Sequence, residues 1–288
     1  RGLVTGINFS GSRLGAAFAL PLVAWMVTAL GWRLTFFILA VIGFAWATFW
    51  YFWFRDDPTL KKNISDEERD YILQMRQQTK PGAQEKLSGS ILFGSKNMWL
   101  AMLQYFCSNF TFFFTLTWLF PHIKNTYNLT AVNAGFYAAV PLVAGAFGNW
   151  FSGWLVDLIY RNGHWKASRR IPAMIGFFLA AVGLVASIYM TDVLPAVLFL
   201  SIAIFGADMT LSPSWSFCVD IGKRHSGAVS GTMNMAGNIG SFITALAFPY
   251  LFEWTGSVVP FFIVGAVLNG VAIVVWMLMR PDKSLEEF

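Results

Sequence analysis

Charge is what this sequence has least of. Only 12 % of its 288 residues are Asp, Glu, Lys or Arg, against roughly 25 % in a soluble domain. Hydrophobic residues make up 56 % and aromatics 17 %, which excludes a disordered chain. Cysteine is nearly absent: Cys107 and Cys218 are the whole complement, both inside apolar runs, so no disulfide framework is expected. His122, His164 and His225 stand apart at the edges of such runs, leaving no Cys/His cluster for a metal and no base beside a buried nucleophile. HExxH, GxSxG and P-loop spacings do not occur, so the sequence offers no enzyme signature of those kinds.

What is present is uncharged length. Residues 34–54, 97–121, 125–156, 171–191, 226–252 and 254–279 carry no charged side chain, and each reaches the roughly 20 residues needed to cross hydrocarbon. The runs 2–32 and 193–219 are equally apolar but for one charge each, Arg13 and Asp208. Eight membrane-spanning helices follow. A soluble protein would have to bury all eight in one core, an arrangement that water disfavours. Alternation of the spans puts 17 of the 20 Lys and Arg on the side of Arg1, and basic loops face the cytoplasm. Both chain ends are therefore expected there, and the net charge of +5 reports topology rather than a nucleic-acid partner. The chain opens on Arg1, with neither Met nor a signal-peptide n-region before the first span, and reads as truncated at its amino end.

Residues 55–96 form the long polar stretch, with eight basic and seven acidic residues. They separate 1–54, two spans, from 97–280, six spans, and a tail follows at 281–288. Ser65-Asp66-Glu67-Glu68 has capping-box form, which predicts a short helix over about 66–78.

Polar groups inside the spans are the candidate functional residues. Arg13 lies about 18 Å into its helix, too deep to reach the interface with ease. Three readings are open: binding of a substrate anion, a structural ion pair, or snorkelling. Asp208 is a candidate proton carrier, or equally a partner in a salt bridge or polar packing. With Ser201, Ser212 and Trp215 it shares a helix face. Pro213 should leave the carbonyl of Met209 without its helical partner. Gly227, Gly231, Asn234, Asn238 and Ser241 recur at steps of four and three, so they form one stripe. Helix packing explains the glycines, while the two amides suit either packing or the lining of a cavity. Tyr105 and Asn109 are cavity candidates in the run 97–121, and Trp118 is expected as an interfacial anchor. Gly153 to Asp157, followed by Arg161, Arg169 and Arg170, has the makings of a cytoplasmic charge latch.

The order of these features resembles the major facilitator superfamily, and within it the anion:cation symporter family of glucarate, hexuronate and galactonate carriers. The resemblance rests on Arg1-Gly2, Gly11-Ser12-Arg13-Leu14-Gly15 with Pro21-Leu22, Gly31-Trp32-Arg33 with Phe36, and Trp46 to Trp53. It extends through Arg55-Asp56-Asp57-Pro58, the Ser65 segment, the Gly153 motif and Asn234. It implies an all-α membrane protein with a partial major facilitator fold, the eight spans standing for helices five to twelve of twelve. It further implies proton-coupled symport of a small organic anion such as a sugar acid, by alternating access. No cofactor beyond the coupling proton is implied, and the expected setting is a bacterial inner membrane, with the protein acting as a monomer. Ser12 and Arg13 fall where relatives place polar cavity residues, often Gln-Tyr or Ser-Tyr, so Arg13 is a departure that adds positive charge. Asn234 matches a substrate-binding Asn of helix eleven. A carrier-derived channel or sensor, or an exchanger of another carboxylate, is the alternative.

Overall fold

The computed structural model describes residues 2–61, 64–75 and 88–285, and among them every regular element is helical. The order is α1 Gly2–Leu30, α2 Trp32–Trp53, α3 Asp66–Met75, α4 Gly89–Gly94, α5 Lys96–Thr117 and α6 Leu119–Thr126. It continues with α7 Ala131–Arg161, α8 Trp165–Ile188, α9 Val193–Met209, α10 Leu211–Gly222, α11 Ser226–Thr255 and α12 Val259–Leu278. Six stretches are long and apolar enough to cross a membrane. One of them, Val193–Thr255, is interrupted by a 3-10 turn at Lys223–His225, with Lys223 at φ 44°, and so holds two crossings. Among the described residues α5 makes the eighth expected crossing; it is less apolar because it carries Gln104, Ser108, Asn109, Thr111 and Thr115, all of them buried but the half-buried Asn109.

Local chemistry sets the helix ends. Gly31 takes φ 78°, a backbone region that glycine enters without steric cost, and α2 starts at the next residue. The run expected to span from 125 begins later, at Ala131, because the hydroxyl of Thr130 accepts from Asn133 N at 3.3 Å and caps α7. Ser65 caps α3 through Glu68 N at 3.2 Å; the expected continuation at 76–78 lies outside the described residues. The run 193–219 breaks at Thr210, as Pro213 demands. The orphaned carbonyl of Met209 is satisfied by the hydroxyl of Ser152 on α7.

The chain divides into two compact units, one of residues 1–25 with 87–288 and the other of residues 26–86. In the smaller unit, α2 buries only Thr35. The aromatic rings of Trp46, Phe49, Trp50, Trp53 and Phe54 run in contact along it. Arg55 closes the helix by donating to the carbonyls of Tyr51 and Phe54. In the larger unit, one core gathers Met98, Phe217, Met233 and Trp276, and a second gathers Phe110, Phe114, Phe248, Phe261 and Phe262. Trp118 joins the second, stacked on Phe248 at 5.2 Å, so packing fixes it rather than interfacial anchoring alone.

Where helices meet most closely, their backbones touch. A Cβ on Gly206 of α9 would lie 2.4 Å from the Gly176 carbonyl of α8, and one on Gly183 would lie 2.5 Å from Ala203 N. Gly206→Ala should therefore cost on the order of 1–3 kcal/mol, the usual penalty of overpacking, and lower the melting temperature in detergent. Gly227→Ala, with open space over the site, should leave it unchanged or slightly raised.

Candidate functional site

The two charges buried in the spans meet. Arg13 Nε donates to Asp208 Oδ2 at 2.6 Å and Nη2 donates to Oδ1 at 2.6 Å, a bidentate pair in which both side chains are nearly sealed, at 7 % and 1 % exposure. This is the geometry in which Arg and carboxylate bind most strongly. Room for it comes from Gly145 on α7, where a Cβ would fall 2.1 Å from Asp208 Oδ2. The ring of Phe112 covers the guanidinium at 3.7 Å, a cation–π contact. Asp208 is the penultimate residue of α9, at the negative end of the helix dipole, so a carboxylate there needs a nearby cation.

Of the three readings of Arg13, the ion pair is what this conformation holds. The guanidinium is not snorkelling, and among the described residues it is sealed. One edge remains lightly engaged: Nη1 has only a 3.5 Å contact with the hydroxyl of Ser12, which itself donates to the Phe9 carbonyl at 2.9 Å.

The other candidates separate into two groups. Tyr105 is buried, its hydroxyl accepting from Trp215 Nε1 at 3.2 Å, and Asn109 donates to the Tyr105 carbonyl at 3.0 Å. Both lie against α11 at Gly237, where a Cβ would be 2.6 Å from the Tyr105 ring and 2.7 Å from Asn109 Nδ2. Asn234 and Asn238 are exposed on the flank of α11 beside that contact, at most about 100° around the helix from Gly237, together with Gly227 and Gly231, which have nothing within 4 Å among the described residues. Among the described residues this corrects the packing explanation of those two glycines: close approach falls to Gly237 and Gly240 instead. A cavity of about 740 Å³ opens between α1 and α10, lined by Asn8, Phe9, Trp215, Arg169 and Asp220. Trp215 ties it to the Tyr105 shelf, with its ring 5.6 Å from Phe9.

The expected latch of Asp157 with Arg161, Arg169 and Arg170 is wired differently. Asp157 accepts from Gly2 N and Leu3 N of α1, each at 3.0 Å, charge-assisted bonds that tie α7 to α1. Arg169 pairs with Asp220 at 2.7 Å, Arg170 donates to the Met279 carbonyl, and Arg161 is exposed.

Several site residues escaped the sequence reading. Asp220 and Phe112 gave no signal beyond their types. Gln104 accepts from Ser214 and from Trp276 at 3.2 Å each, and Asn269 donates to Thr111 at 2.8 Å. Asn269 is the one amide of the otherwise apolar α12, a mark that could have singled it out, whereas Gln104 is one polar residue among several on α5.

Removing one partner of a sealed ion pair strands the other charge. Asp208→Ala should destabilise the fold by about 3–5 kcal/mol, and pairing Asp208→Leu with Arg13→Met should recover most of that loss, as read from thermal melting of the single and double variants.

The sequence profile of the Major Facilitator Superfamily matches residues 1–245. The probable sulfoacetate transporter SauU of Cupriavidus necator is 30 % identical over 99 % of this chain and 66 % of its own length. The D-galactonate transporter of Escherichia coli is 28 % identical over 89 % of this chain and 61 % of its own length. The hexuronate transporter of Bacillus subtilis is 23 % identical over 98 % of this chain and 66 % of its own length. The chain thus spans just under two thirds of the length of these curated relatives. With the family profile running through residues 1–245 of 288, the chain belongs to the Major Facilitator Superfamily.

Proposed function

We propose that this chain is the helix-five-to-twelve part of a secondary carrier for a small organic anion, working by alternating access and driven by protons. The observation that carries the reading is the sealed Arg13–Asp208 pair. A neutral pair is tolerable in a nonpolar slab, whereas a lone charge is not. An anion can take the guanidinium only if Asp208 loses its charge at the same time. A proton on Asp208 and a carboxylate or sulfonate on Arg13 together keep the buried charge at zero, which couples one proton to each anionic group bound. Neither ligand is stable there alone.

The remaining candidates take supporting roles. Arg13 grips the anionic end, using the fork now given to Asp208 and the lightly engaged Nη1. Tyr105 and Asn109, with Asn234 and Asn238 on the exposed face, meet hydroxyl or carbonyl oxygens. The Asp157 hydrogen bonds to α1 and the Arg169–Asp220 pair are the contacts that break as the ends of the helices part. The named relatives support a substrate class of sugar acids and short carboxylate- or sulfonate-bearing acids. The distribution of Lys and Arg supports a cytoplasmic location for both ends of the chain, in a bacterial inner membrane. The protein acts as a carrier and not an enzyme, needs no bound cofactor, and works as a monomer.

The test is uptake of labelled D-galactonate, hexuronate and sulfoacetate into proteoliposomes holding the complete coding sequence. Flux should saturate and should accelerate when the outside is made acid, because protonation of Asp208 releases Arg13. Arg13→Ala should weaken binding about 100-fold, the cost of losing a buried charged hydrogen-bonding partner. Asp208→Asn should keep counterflow yet lose accumulation under a pH gradient. Accumulation by Asp208→Asn equal to wild type, or unchanged affinity in Arg13→Ala, would refute the coupling.

A further inference from the structure

A positively charged site lies away from the neutral Arg13–Asp208 pair. The start of α5, the start of α8 and the end of α12 converge on a pocket of about 580 Å³ whose walls carry Lys96, Arg170, Arg280 and Lys283 and no acid. Its frame is fixed by Asn97, which accepts from Arg280 N at 3.0 Å and donates to the carbonyls of Arg280 at 2.8 Å and Lys283 at 3.2 Å. Arg170 is held at the rim by the Met279 carbonyl. The neighbouring acid, Asp282, is engaged by Lys166 at 2.8 Å, a hydrogen bond that holds its carboxyl below the usual range. Among the described residues, the head groups of Lys96, Arg280 and Lys283 make no hydrogen bond or ion pair with an acid.

The remaining wall says what kind of anion fits. Met277 and Leu278, in the last turn of α12, line the same pocket and are 53 % and 51 % exposed. On a membrane helix such side chains face acyl chains. One turn beyond Lys96, the exposed Trp99 donates through Nε1 to the Phe93 carbonyl at 2.7 Å, with the Phe93 ring 6.1 Å away. Aromatic side chains of this kind settle at headgroup depth. The pocket is therefore basic toward water and apolar toward the bilayer. A soluble phosphate would use the first wall and have no use for the second.

We infer that this pocket seats the phosphate of an anionic phospholipid from the basic, cytoplasmic side of the membrane, with its first acyl carbons on Met277 and Leu278. Cationic clusters between spans on that side are where such headgroups are held. The bound lipid ties the ends of α5, α8 and α12 together. The inference rests on the membrane setting and orientation and is independent of what the carrier transports.

The test uses the purified protein in detergent, titrated with phosphatidylglycerol, phosphatidylcholine or inorganic phosphate and followed by native mass spectrometry and thermal melting. Phosphatidylglycerol should bind at least tenfold more tightly than phosphatidylcholine and raise the melting temperature. Lys96→Gln and Lys283→Gln should each weaken it about fivefold without altering melting in phosphatidylcholine. Neutralising Lys223 and Arg224 instead should leave the preference intact. Equal binding of the two lipids, an unchanged preference in the Lys96→Gln/Lys283→Gln double variant, or an equal loss in the Lys223 and Arg224 control would overturn the assignment. Stabilisation by inorganic phosphate as large as that by phosphatidylglycerol would overturn it in favour of a soluble ligand.

Discussion

A guanidinium and a carboxylate cannot be carried into hydrocarbon separately, and in this chain they are carried in together. Arg13 and Asp208 are 195 residues apart in sequence and meet through two 2.6 Å hydrogen bonds. Much of the surrounding structure is arranged to permit that contact. Gly145 leaves room for one carboxylate oxygen. Phe112 covers the guanidinium with a ring face and not with a competing anion. The break after Met209 ends α9 one residue beyond Asp208, and Ser152 from α7 takes up the carbonyl that the break releases. Without these adjustments the pair would be stretched or wet, and a buried ion pair of poor geometry destabilises the fold.

The same pair helps to attach α1 to the helices that follow residue 87, and the attachment is of two kinds. Backbone contacts run along a seam of small residues: a Cβ on Gly2 would lie 2.7 Å from the Gly153 carbonyl, and one on Gly6 would lie 2.4 Å from that of Asn149. Polar contacts are set at intervals between them. These are the Asp157 hydrogen bonds to Gly2 N and Leu3 N, the hydroxyl of Ser212 on the Gly2 carbonyl at 3.1 Å, and Trp150 Nε1 on Ser10 at 2.7 Å. A smooth glycine seam offers little resistance to sliding, while hydrogen bonds and ion pairs hold one register until something competes for them.

How far the sequence spoke for itself can be judged residue by residue. The eight crossings were legible because absence of charge over a run of about 20 residues has one common cause. The kink at Pro213 and the cap at Ser65 were legible because each follows from a group that proline lacks or serine supplies. Arg13 and Asp208 stood out as anomalies, yet that they are partners was not readable, since helix periodicity says which residues share a face and not which helices adjoin. The same gap explains Asp157, whose nearby arginines suggested a local latch, whereas its carboxylate accepts from amides of α1. It also explains Asn234 and Asn238, whose stripe was clear while the side of the helix it occupies was not. The glycines of that stripe show the limit most directly: spacing alone cannot tell a packing seam from an open face.

The central claim is that the carboxylate gives up its charge when an anion claims its partner. Infrared difference spectroscopy of the complete protein, with and without bound D-galactonate or sulfoacetate, observes that event directly. The account predicts that binding produces the carbonyl stretch of a protonated carboxyl, and that this band is missing in Asp208→Asn. Saturable binding with no such band in the wild type, or the same band in Asp208→Asn, would contradict it.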